Sequence, residues 1–267
     1  MRTKQRWKGT DQMNEAYEAD IIRLKTLIKE YGGVDSYNTE QAATLFELLY
    51  KMVSELGLTP ENRADFHEGV KKIFNLDIQG LDRYKKGKYI FVPNHVSEFD
   101  GMLYGTILSN MLVVAKTDWI ANPHLNDFVE KLFSVVGVVR GDNSSGITVL
   151  KKCVGHLNDL EDGAVTIFVQ QTIADIDLTV PEDVASGACF IAKKTGAKIV
   201  PVYGEQISAE YPTRMIFGDP IECMDKKAFG EEWLKRENEL RAYIKNPAAR
   251  PPVLCEKHRK PISERGF

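Results

Sequence analysis

No apolar run in the sequence approaches the roughly 18 residues a helix needs to span a bilayer, so any membrane contact is expected to be peripheral. The first residues, Met1 to Asp11, are basic and polar and lack the apolar core of a secretory leader. Cysteine is sparse: Cys153, Cys189, Cys223 and Cys255 are scattered, with neither the paired spacing of a zinc site nor the density of a small secreted scaffold. They read as reduced thiols, and the expected location is the cytoplasm, with at most peripheral attachment to the inner face of a membrane. Charge of one sign is also missing. A formal net charge of -3 offers no global attraction to nucleic acid, which is not expected as a partner. The histidines other than His95 (His67, His124, His156 and His258) are isolated, and Asp175 and Asp177 read as solvated loop acids, so no metal is expected. There is no internal repeat.

What is present is ordinary globular material, 43% hydrophobic and 27% charged over 267 residues. From Met13, apolar residues at Tyr17, Ile21, Leu24, Ile28 and Tyr31 mark one helix face, and Gly32 and Gly33 supply a stop. A second helix carries Leu45, Phe46, Leu49, Met52 and Val53, and a third follows the Thr59–Pro60 entry. Residues 1–80 are therefore expected to form a helical subdomain, a cover for the rest in preference to a bilayer anchor, because its polar faces carry Glu15, Glu18, Asp20 and Glu47. Beyond the turn at Lys85–Lys88 the period changes. Short branched runs at Tyr89–Val92, Leu112–Ala115, Val135–Val139, Ala164–Val169 and Lys198–Tyr203 predict buried strands, and Met215–Phe217 could add another. Helical spacing over 145–160, 182–195 and 225–244 separates or follows them. That alternation predicts an α/β domain over 81–245, a mostly parallel mixed sheet flanked by helices. Residues 246–267, with Pro247, Pro251, Pro252 and Pro261 among basic side chains, read as an extended tail.

Immediately after the first predicted strand the chain reads Asn94, His95, Val96, Ser97, Glu98, Phe99, Asp100. An aspartate five residues after a strand-end histidine can orient the imidazole through one nitrogen and leave the other free as a base. Taken alone, the pair has a second reading: a histidine satisfying buried hydrogen bonds beside an ordinary helix-start acid.

The segment resembles the first motif of the glycerolipid acyltransferase family, Asn-His-x-Ser-x-x-Asp, with Asn94, His95, Ser97 and Asp100 all matching. The resemblance runs in order over about residues 86–220. Val114–Lys116 and Pro123 look like the lysine-bearing strand and its following helix, and Gly137–Arg140 like the second motif. Gly187, Ala188 and Ala192 look like the Gly-Ala helix, and Ile199–Val202 like the closing Val-Pro-Val strand. The third motif, Phe-Pro-Glu-Gly-Thr-Arg-Ser, departs. Here Phe168, Val169, Gln170, Gln171, Thr172, Ile173 and Ala174 stand in its place, so the carboxylate, the glycine and the arginine are all absent.

The resemblance implies acyl transfer from a thioester of coenzyme A or acyl carrier protein, as co-substrate and not as a tightly bound cofactor, to a hydroxyl or amine of a small-molecule or lipid acceptor. His95 would be the general base and Asp100 its orienting acid. Asn94, Ser97, Lys116, Arg140, Gln170, Gln171 and Thr172 are the expected substrate-binding positions, Arg140 through its planar fork for phosphate. Losing a carboxylate and a guanidinium together predicts an acceptor other than glycerol phosphate. Two rivals remain: a non-catalytic relative that binds acyl chains or a carrier protein, and a thioesterase in which the same base activates water.

Overall fold

The computed structural model describes residues 19, 22–23, 26, 70–71, 76–95, 100–117, 133–139, 142–171, 181, 184–204 and 213–242. The predicted tail, nearly all of the predicted N-terminal helices, and the side chains of Ser97, Arg140 and Thr172 lie outside these residues. Seven strands form one sheet: β1 (Leu76–Gln79), β2 (Lys88–Pro93), β3 (Met111–Lys116), β4 (Ser134–Val138), β5 (Gly163–Thr166), β6 (Lys198–Gly204) and β7 (Thr213–Phe217). Their spatial order is β1-β7-β6-β2-β5-β3-β4. The five from β6 to β4 are parallel, while β7 runs antiparallel to β6 and pairs parallel with β1. The α/β architecture, a mixed and mostly parallel sheet with helices beside it, is thus the one the alternating periods predict.

Four helices accompany the sheet: α1 (Asp100–Gly105), α2 (Asn143–Asp159), α3 (Gly187–Thr195) and α4 (Lys226–Ala242). Strands buried on both sides need apolar residues at consecutive positions, which is why Ile90, Phe91 and Val92 of β2 are all fully buried. Ile90 and Val92 join the core under α2, α3 and α4, with Val149, Cys153, Ala188, Ile191, Phe229 and Trp233. On the other face Phe91 meets Phe217 edge to face at 5.1 Å and Tyr84 at 6.1 Å. Asp142 starts α2 by accepting the Ser144 amide at 2.8 Å, and that bond, with the Ser144 hydroxyl, holds its carboxyl below the usual range.

Three elements differ from the sequence reading. Leu76–Gln79 is a strand of the sheet, so the α/β unit begins inside the stretch assigned to the helical subdomain. β5 ends at Thr166 and does not run on to Val169, because Phe168 to Gln171 fold into a turn in which the Gln171 amide donates to the Phe168 carbonyl at 2.9 Å. Helix α3 starts at Gly187, later than the expected 182, since the amides of Val184 and Ala185 are already committed to Pro181 and Val169 carbonyls.

Candidate active site

β2 lies between β5 and β6 in the parallel part of the sheet, and its carboxyl end delivers Asn94 and His95 to the rim where open α/β sheets place ligands. Asn94 is buried and acts as a fastener. Its side chain donates to the Gly204 carbonyl at 2.8 Å and accepts the Gly204 amide at 2.6 Å, tying the ends of β2 and β6 together. A Cβ on Gly204 would stand 2.9 Å from the Tyr104 hydroxyl, so a larger residue there would have to displace that buried ring.

His95 Nδ1 lies 2.9 Å from Asp100 Oδ2. An ionised carboxylate can only accept, so with Asp100, buried to 4% exposure as the first residue of α1, in that form the proton of this bond sits on Nδ1, and Nε2 is the nitrogen Asp100 does not engage. The imidazole itself retains 18% side-chain exposure. The ring is thus held on its Nδ1 side and remains partly open to solvent, as a general base would need to be.

The turn after β5 closes on the same histidine. Gln170, 1% exposed, accepts the His95 backbone amide through Oε1 at 2.5 Å. Phe168 stacks on the His95 ring with centroids 4.3 Å apart and planes 29° from parallel. Tyr104 stands edge-on behind Phe168 at 5.7 Å. Among the described residues the Tyr104 hydroxyl has no hydrogen-bond partner, and burial, aided by the charge of Asp100, pushes its pKa well above the ordinary tyrosine value.

Of the expected site residues, His95, Asp100, Asn94 and Gln170 therefore come together at the end of β2. Lys116 stands exposed at the end of β3, and Gln171 is exposed beside Gln170. Sequence reasoning missed the roles of Phe168, Tyr104 and Gly204. Tyr104 carried a usable signal, since four residues after Asp100 is the same face of a helix; Gly204 carried none. Among the described residues no cluster of three or more His, Cys, Asp or Glu could hold a metal, and no helix is long and apolar enough to cross a membrane.

The family model described as Acyltransferase matches residues 75–205, the stretch from β1 to the end of β6 that carries this site. Those residues are thus a domain of the acyltransferase type. The match supports acyltransferase activity in general, and the order of the motifs resembles that of the glycerolipid type. No curated protein sequence matches the chain. Among solved structures it is similar to the 1-acyl-sn-glycerophosphate (LPA) acyltransferase PlsC from Thermotoga maritima, at 16% identity and a TM-score of 0.48 over 87% of this chain and 98% of that one.

Proposed function

We propose that this acyltransferase takes an acyl group from a thioester of coenzyme A or acyl carrier protein and passes it to a hydroxyl or amine, with His95 Nε2 as general base. The observation that carries the reading is the 2.9 Å pairing of His95 Nδ1 with the buried Asp100, inside the family domain. As the acceptor attacks the thioester carbonyl, Nε2 takes its proton and Asp100 stabilises the imidazolium that forms. The tetrahedral intermediate then expels the thiolate, which takes the proton back from the imidazolium. No covalent acyl-enzyme is required, and no bound cofactor or metal enters the scheme.

The acceptor is proposed to lack the glycerol phosphate head. Support comes from Gln170: its neutral amide stands where the motif has a carboxylate, and its oxygen is engaged by the His95 amide. Ile173, where the motif has arginine, brings no charge for a phosphate. Lys116, Arg140, Ser97 and Thr172 remain proposed substrate contacts, and the enzyme is proposed to work in the cytoplasm, at most peripherally on the membrane.

The test is mass spectrometry of wild-type and His95→Ala protein incubated with palmitoyl-coenzyme A, palmitoyl carrier protein and a pooled metabolite extract. An acylated product formed by the wild type alone, lost by about 10²-fold or more in the variant, is the expected result. Transfer that survives the substitution would remove His95 from the mechanism. Efficient acylation of glycerol phosphate would overturn the acceptor proposal, and free acid as the sole product would point to a thioesterase.

A further inference from the structure

We infer that the turn Phe168–Gln171 is a two-point clamp that sets the orientation of His95, with Phe168 and Gln170 as positioning residues. The inference rests on the general-base reading of His95 and adds to it what fixes the ring's remaining freedom. One hydrogen bond to Asp100 leaves an imidazole free to rock about the Nδ1···Oδ2 axis and the histidine backbone free to shift along the rim of the sheet. The turn removes both motions. Phe168 lies flat against one face of the ring, at 4.3 Å, and Gln170 Oε1 holds the backbone amide at 2.5 Å.

Two features separate this arrangement from simple packing. Gln170 is 1% exposed, and a buried side-chain amide is costly unless bonded, whereas leucine would fill the same volume at no such cost. Its carbonyl oxygen is spent on the one backbone N–H that belongs to the base. Phe168, by contrast, is only partly buried, so its ring is placed for the histidine face more than for the core. Behind it, the fully buried Tyr104 blocks retreat by standing edge-on at 5.7 Å.

The clamp also accounts for the loss of the motif's carboxylate. A glutamine keeps an acceptor oxygen for the His95 amide while adding no second anion beside Asp100 to compete for the imidazolium. The aromatic face of Phe168 adds attraction for the ring when it is protonated in mid-reaction. Gln170 thereby serves to hold the base.

The test uses the full chain with carbon-13 histidine labelling, in wild type, Phe168→Leu, Phe168→Tyr, Gln170→Leu and Gln170→Glu. The chain has five histidines, and the resonance lost in His95→Ala assigns His95. In the wild type the His95 ring protons should be shifted upfield by Phe168. Phe168→Leu should move them downfield and lower kcat for palmitoyl-coenzyme A by on the order of tenfold to a hundredfold, with KM and melting temperature retained. Phe168→Tyr should recover most of both signals. Gln170→Leu should lower kcat in the same way, with Gln170→Glu recovering the acceptor oxygen and part of the rate. Unmoved ring resonances in Phe168→Leu, or a rate loss that follows KM or stability, would overturn the clamp. If the wild type transfers nothing, the general-base reading falls, and the ring resonances alone still decide whether the clamp exists.

Discussion

Gln171 has a φ of 62°, a left-handed conformation that glycine enters freely and other residues do not. A side chain there costs roughly 1–2 kcal/mol relative to the usual regions, more for a β-branched one. Gln171, which stands where the resembled motif has a glycine, thus holds a backbone conformation that glycine would adopt freely. Gln171→Gly and Gln171→Val should straddle the wild type in chemical denaturation, with the glycine variant the more stable by about 2 kcal/mol. Equal stabilities would show that residue 171 has left the left-handed region. At this scale the sequence was legible where partners are near one another. His95 and Asp100 are five residues apart, and their spacing alone announced a possible pair. The partner of Gln170 was not legible, because the bond to His95 joins positions 75 residues apart and no local pattern records which buried amide will face which backbone N–H.

Helix α4 bears on the site from outside the matched domain. Trp233 is fully buried and donates its indole N–H to the Val92 carbonyl at 2.8 Å, so a helix near the end of the described chain grips the strand that carries His95. One turn earlier Gly230 sits against the Pro181 carbonyl, with no room for a Cβ. Gly230→Ala should therefore destabilise the protein by about 1–3 kcal/mol through overpacking, although alanine favours a helix more than glycine does. A melting temperature at or above wild type would refute that packing. Of the elements, α2 and α4 and the strands β2, β3, β4 and β6 were legible within a residue or two, because long apolar stripes and branched runs carry their own period. β1 was not. Leu-Asp-Ile-Gln is short and mixed, and it becomes a strand by pairing with β7, which lies far along the chain.

For the whole molecule, the buried thiols of Cys153 and Cys189 make stability depend on alkaline pH. Burial pushes each up to about 12, while the unfolded chain releases the same protons near about 8.5. The native state therefore holds protons that the unfolded state has lost. Stability is fully present below about pH 8.5 and falls as pH rises through the window up to about 12. Melting curves between about pH 8 and pH 10 should slope downward in the wild type, and less steeply in Cys153→Ala, which is less stable at neutral pH because of the space it leaves. An identical slope would remove Cys153 as a source. The Asn94 fastener has a consequence of another kind. It closes a separation of 110 residues, and the β2–β6 ladder beneath it is just as long-range. Contacts of that span form late in folding, after most of the entropy of chain closure has been lost. A chain still emerging from the ribosome would hold the adjacent His95 and Asp100 long before β6 exists to anchor them. The proposed catalytic arrangement should thus be completed abruptly, only once synthesis has passed Gly204 and β6 has paired with β2.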